Sequence, residues 1–83
     1  MYEENKDISE KTKNINRARQ SLVEELQAMM WYDERVDATK DESLAKVLKY
    51  NRDDEKEHAA LLIAWLVKHD DVFAKELKKA IGS

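Results

Sequence analysis

The chain has no cysteine, no proline and one glycine, Gly82. Without cysteine there are no disulfides, no thiolate metal sites and no thiol nucleophile. Without proline or an internal glycine, little interrupts a helix before residue 82. No stretch alternates apolar and polar residues with the period of a strand. Aromatic residues make up 7% of the chain, and no basic stripe interleaves with them, which argues against nucleic acid as a partner. The longest apolar run, Ala59 to Val67, is too short to span a bilayer. Residues 1–6 are polar and acidic, unlike the start of a secretory signal. These absences predict a soluble, cytoplasmic, all-α chain with no membrane or nucleic-acid partner.

What is present is charge: 15 basic and 18 acidic residues, interleaved, with a net charge of -3. Eighty-three residues make one domain with a small core. Chains of this length often draw stability from metals or from self-association.

Residues 1–6 read as a loose polar arm, and Asp7 with Glu10 three residues on reads as a helix start. Over residues 8–37, Ile8, Ile15, Leu22, Met29 and Val36 recur every seven positions, with Ala18 and Leu26 between. This predicts a helix roughly 45 Å long at about 1.5 Å per residue. On a helical wheel Trp31 points almost opposite Leu22, with Val23 and Met30 on one flank. A helix apolar on two sides requires cover on two sides, one of them from another chain. Asp37 to Asp41 is the only turn-like stretch between the long patterns. Thr39-x-x-Glu42 fits a capping box, which starts a second helix over 40–68. So short a connection forces an antiparallel hairpin. His69-Asp70-Asp71 breaks the pattern and offers an aspartate N-cap for a third helix over 71–81, with Phe73, Leu77 and Ile81 four apart. Gly82-Ser83 suits a helix C-cap or a remnant of cloning.

The second helix carries the chemistry. Its inward seam reads Leu44, Leu48, Asn51, Glu55, His58, Leu62, Trp65, so three polar residues interrupt an otherwise apolar row. Glu55-x-x-His58 places a carboxylate and an imidazole one turn apart on one face, a spacing that suits two ligands on one ion. Burying a bare carboxylate costs several kcal/mol unless something compensates, and a cation does. When the hairpin closes, Glu25 lies across from the Asn51–Glu55 region and leans toward the seam, while Glu24 is rotated away by about 100°. Glu25, Glu55 and His58 then converge from two helices.

A di-iron carboxylate four-helix bundle uses one Glu from each of two helices and a Glu-x-x-His from each of the other two. This chain carries half of that set, and a twofold dimer completes it. Four carboxylates from two chains balance two divalent ions with both histidines neutral. Oxygen and imidazole ligands without sulfur suit iron or manganese, with zinc left open. Two such ions about 3.5–4 Å apart pass electrons to dioxygen or a peroxide. Tyr32, seven residues after Glu25, is placed for a hydrogen bond to a ligand or for redox activity.

Competing readings are plain. Glu-x-x-His arises by chance in charged helices, and a polar seam position also sets register in coiled coils. Trp31 and Trp65 read as packing residues, and Met29 and Met30 as core and interface filler. His69 reads as a solvated terminus, and Lys75, Lys78 and Lys79 as a solvated face near a helix C-terminus.

Two stretches resemble the encapsulated ferritins. One is Glu24-Glu25-Leu26-Gln27-Ala28-Met29-Met30-Trp31-Tyr32-Asp33-Glu34-Arg35-Val36-Asp37-Ala38. The other is Asn51-Arg52-Asp53-Asp54-Glu55-Lys56-Glu57-His58-Ala59-Ala60, followed by Trp65-Leu66. The resemblance spans roughly residues 18 to 77. It implies a helical hairpin with a short third helix that dimerises into a ferritin-like four-helix bundle, the dimers forming a ring of five, a decamer. It implies a ferroxidase oxidising Fe(II) to Fe(III) at a di-iron site between two subunits, inside an encapsulin nanocompartment that stores the mineral. Glu25, Glu55 and His58 would be the metal ligands, contributed by both chains. Trp31 and Tyr32 would be the aromatic pair beside the site, and Ca, Mn or Zn could occupy it in place of iron. The family also has an outer metal site made by two glutamates. Glu24 matches one, but Gln27 stands at the other position, and an amide is a weaker ligand. Its encapsulin-docking tail has no counterpart up to Ser83, so such a tail lies beyond this sequence or targeting works differently. Two other functions stand beside the ferroxidase: a non-redox helical oligomerisation module, and a di-metal peroxidase or manganese enzyme on the same scaffold.

Overall fold

The structure, a computed structural model, describes residues 6–82. The expected loose arm falls mostly on residues 1–5, outside the described residues. Three helices follow one another: α1 Glu10–Ala38, α2 Glu42–His69 and α3 Asp71–Ile81. No strand occurs among the described residues. The chain is an antiparallel hairpin of two long helices with a short third helix packed on α2.

Capping chemistry sets the boundaries, and in two places it differs from the expected signal. Ser9, not Asp7, caps α1: its hydroxyl accepts from the Thr12 backbone N–H at 3.1 Å. Asp41, not Thr39, caps α2, because one carboxylate oxygen accepts from the N–H groups of both Ser43 and Leu44. Asp41 also takes the Ser43 hydroxyl at 2.7 Å. That bond, then the one from Leu44, holds its carboxyl below the usual aspartate range. A carboxylate at a helix N-terminus also meets the positive end of the helix dipole, which a threonine hydroxyl does not exploit. Thr39 instead ends α1, its N–H bonding to the Arg35 carbonyl, while its hydroxyl accepts from Asp41 N–H. Asp70 caps α3 through Phe73 N–H. Gly82 closes α3 with φ 83°, a left-handed conformation that glycine adopts without a Cβ penalty.

The extents are 51 × 38 × 14 Å, so the chain is one layer of helices thick. Two helices side by side have a single shared seam, and that limits what one copy can bury. Among the described residues only Ala59 and Leu66 are fully buried, at 5% and 3% exposure. The expected seam is therefore rotated by about one residue: Ala59 and Leu66 face the seam centre, where His58 and Trp65 were expected. Leu44, expected inside, is 46% exposed. Glu55, at the heptad position between the two seams, stays half-buried. Val23, Leu26, Met30 and Trp31 on α1, and Val47 and Leu61 on α2, are exposed apolar side chains. Among the described residues no helix is long and apolar enough to cross a membrane.

Candidate metal centre

Three side chains converge midway along the hairpin. Glu25 comes from α1, and Glu55 and His58 come from successive turns of α2. The His58 Nδ1 atom stands 3.5 Å from Glu25 Oε2 and 3.6 Å from Glu55 Oε2. One ligand atom from each of the three lies within 4.8 Å of the others. Metal–ligand bonds of about 2.0–2.2 Å allow any two ligands of one ion to stand up to roughly 4.4 Å apart. The trio thus needs only small rotamer adjustments to close on a cation.

Burial makes the grouping informative. The carboxylates are mostly covered, with side-chain exposures of 23% for Glu25 and 22% for Glu55, whereas His58 is 52% exposed. Glu25 Oε2 is a buried oxygen with no hydrogen-bond partner. A buried acceptor left unmet costs about 1–3 kcal/mol. A divalent cation bound among the three would satisfy both this oxygen and the pair of negative charges. Two carboxylates and a neutral imidazole match the charge of one divalent ion, and three ligands leave coordination positions open.

The other expected site residues are placed as follows. Tyr32 is half-buried, with the Arg35 guanidinium 5.7 Å from its ring centre. Trp31 is 49% exposed on α1. Glu24 is exposed, accepts a 3.3 Å bond from the Gln20 side chain, and stands apart from the trio. Gln27 is exposed as well. His69 is exposed but not merely solvated. Its ring stacks on Trp65 at 4.0 Å, and its Nδ1 lies 2.8 Å from the Trp65 carbonyl oxygen.

Residue reading missed the polar links across the hairpin. Arg52 Nη1 donates to Asp33 Oδ1 at 3.0 Å, joining α2 to α1. Arg52 Nε reaches Asp53 at 3.3 Å, and Lys56 meets the same aspartate oxygen. Arg19 reaches the α3 cap Asp70 at 3.2 Å. A signal existed: Asp33 and Arg52 share the antiparallel register that pairs Glu25 with His58. Charges on a helix rich in charge gave no reason to single them out.

Three comparisons bear on this geometry. The EncFtn-like family model matches residues 1–83. An encapsulated ferritin-like protein of Rhodospirillum rubrum is 48% identical over 71 residues, covering 86% of this chain and 51% of that protein. A ferritin-like protein of Thermotoga maritima is 48% identical over 60 residues, covering 72% of this chain and 53% of that one. The chain thus spans about half the length of these curated relatives. The crystal structure of protein ne0167 from Nitrosomonas europaea superposes with a TM-score of 0.91 at 43% identity, covering 100% of this chain and 91% of that one. With the expected hairpin and a glutamate–glutamate–histidine group in place, this chain belongs to the EncFtn-like family, the encapsulated ferritin-like proteins.

Proposed function

We propose that the chain is a ferroxidase half-site, which binds Fe(II) as substrate and completes its pocket by pairing with a second copy. The observation that carries this reading is the buried Glu25 Oε2, which has no hydrogen-bond partner and lies 3.5 Å from His58 Nδ1 in the group with Glu55. Glu25, Glu55 and His58 would hold the iron, as all-oxygen and imidazole donors suited to Fe or Mn. Bound iron supplies the redox step, Fe(II) giving electrons to dioxygen, which takes up protons from solvent. The protein's own part is to hold two carboxylates and an imidazole on one side of the iron. Tyr32 lies seven residues along α1 from Glu25, and we place it beside the site as a hydrogen-bonding or redox-active ring.

A second copy is part of this proposal for two reasons. His58 is half-exposed, so the pocket is open on the side where further ligands are required. Exposed apolar side chains on both long helices, among them Trp31 on α1 and Val47 and Leu61 on α2, lack cover in one copy. A twofold mate brings a second Glu, Glu-x-x-His set and covers them. On this reading two irons sit per subunit pair, dimers assemble further, with a ring of five as the expected form, and the product is handed to mineral storage in an encapsulin compartment. The name of the Rhodospirillum relative supports that last step, as does the family.

The test is anaerobic Fe(II) titration followed by oxygen, on wild type and on Glu25→Ala, Glu55→Ala and His58→Ala. Saturable oxidation in wild type and its loss in each variant is expected. Oxidation at the rate of free iron in all four chains sinks the proposal and leaves the non-redox oligomerisation module. Faster turnover with peroxide than with oxygen points to a di-metal peroxidase.

A further inference from the structure

We propose that two ion pairs bracketing the metal group, Asp33–Arg52 and Arg19–Asp70, are positioning elements that hold the helices at the rotation the metal requires. This deepens the ferroxidase reading and rests on it. The chain order of the contacts is the first argument. From the turn outward, the hairpin is joined by Asp33–Arg52, then by Glu25–His58, then by Arg19–Asp70. The metal group therefore lies between two charged crosslinks, one nearer the turn and one at the far end.

Rotation is the second argument. Along α2, Arg52, Glu55 and His58 are spaced by three residues, so each is offset from the next by about 60° around the axis. Glu55 thus sits between them, with Arg52 on one flank of the seam and His58 on the other. Turning α2 to expose His58 further drives Arg52 inward, and turning it the other way pulls Arg52 off Asp33. An Arg52 bonded to α1 opposes both motions. Its fork is itself aimed: Nε is tied to Asp53, which Lys56 holds from the next turn, so Nη1 is left for Asp33.

Among the described residues the fully buried centre of the seam is small. Its centre is Ala59 and Leu66, and α1 opposes them with half-buried Leu22 and Met29. Alanine is small and methionine is adaptable, so neither locks a partner helix at one angle. The three-residue connection between α1 and α2 prevents long slides but not twist at a site fourteen residues away along α1. Polar pairs beside an apolar seam are the established means of fixing register. A partly exposed pair contributes little to total stability, so its effect is expected in metal affinity rather than in folding.

The test uses the full chain and Co(II), a probe that air leaves unoxidised, titrated at a temperature where circular dichroism shows every variant helical. Asp33→Asn and Arg19→Gln are each expected to weaken Co(II) binding about threefold, and together about tenfold. Arg52→Gln should match Asp33→Asn, and the Asp33→Asn/Arg52→Gln double variant should be no weaker than either alone, because the two residues make one bond. Affinities within 1.5-fold of wild type in these variants overturn the proposal, provided Glu25→Ala abolishes saturable binding. Additive losses in the Asp33/Arg52 pair overturn it as well, since the residues then act separately. If Glu25→Ala binds Co(II) like wild type, the metal site itself fails and the bracket falls with it. Asp33 is a surface residue and its asparagine variant keeps the shape, so this arm reads out even if Arg52→Gln loses its fold.

Discussion

Replacing Glu25 by glutamine should make the metal-free protein more stable than wild type and the metal-loaded protein less stable than wild type. In the free chain Glu25 Oε2 is buried without a hydrogen-bond partner, and a Glu55 carboxylate oxygen lies within 4.8 Å of the trio's other ligand atoms. An unmet buried acceptor costs about 1–3 kcal/mol. The Glu25 side chain retains 23% exposure, so the low end, about 1 kcal/mol, applies. Glutamine keeps the shape, removes the like charge and adds a donor within reach of Glu55. The metal-free variant should therefore melt roughly 4–8 °C above wild type, the shift about 1 kcal/mol gives in a domain of this size. With metal the sign changes. A hundredfold excess of free Co(II) over its dissociation constant stabilises wild type by about 2.7 kcal/mol, or roughly 11–22 °C by the same conversion. An amide in place of the carboxylate should reduce that shift to less than about 5 °C. The assay is thermal melting by circular dichroism in chelator and in Co(II), at one chain concentration because association also moves the midpoint. A variant that melts at or below wild type in chelator shows that Glu25 is already satisfied in the free protein. Equal Co(II) shifts in the two chains remove Glu25 from the ligand set.

Three further outcomes follow from the fold. Leu66→Ala empties the best-buried position and should cost about 2–5 kcal/mol, seen as a urea midpoint shift; a change below about 1 kcal/mol contradicts the seam assignment. Ala59→Leu should cost about 1–3 kcal/mol by overpacking and, one residue from His58, should also weaken Co(II) binding; unchanged affinity would mean that helix separation there is irrelevant to the metal. The third outcome concerns acid. The folded-state values of Asp41 and Asp53 are lowered, the first chiefly by the Ser43 hydroxyl and the second chiefly by Lys56. Depressed carboxyls stabilise the fold above their unfolded value, near 3.8, and that contribution is lost as pH falls through the folded value. Asp41→Asn keeps the cap but removes its titration, so its acid melting curve should be flatter than wild type; parallel curves would remove Asp41 from the acid response.

The helices were legible because breakers are scarce: with one glycine and no proline, only Asp37 to Asp41 and the residues around Asp70 remained as stops. The caps were less legible because several candidates stood within three residues of each other. Thr39, Asp41 and Glu42 each suit a helix start, and the decision went to Asp41, whose one oxygen serves two N–H groups. The seam was legible to within one residue. Heptad counting gives a stripe about two residues wide, and which edge faces inward depends on the neighbouring helix. Here it put Ala59 and Leu66 inward and left His58 on the rim. Glu55 was assigned to the interior by either count. Glu25 was legible by its lean toward Leu22 and Met29, and its oxygen is indeed buried. The cross-hairpin pairs were not legible, since Asp33 and Arg19 are two charges among many and only the closed hairpin selects their partners.

The rim position of His58 and the sparse core have one cause. A layer 14 Å thick buries side chains only between its two long helices, so each helix covers one stripe and presents the rest. On α1, Val23, Leu26 and Met30 lie within about 60° of one another at 100° per residue, on the side of the Leu22 stripe away from Glu25. On α2, Leu61 lies about 60° from His58 by the same geometry, on the side away from Glu55. The open side of the proposed metal group thus adjoins exposed Leu61, and in the proposed dimer a chain that covers this leucine would also stand near the ion's remaining coordination positions. For the proposed ferroxidase, apolar burial and metal coordination are therefore not separate sources of stability. In the proposed dimer, a second copy that removes Leu61 from water would also bring its own carboxylates to the ions. On that proposal an ion bound by one copy would raise the affinity for the next, because ligand sets split between chains link metal binding to association in both directions.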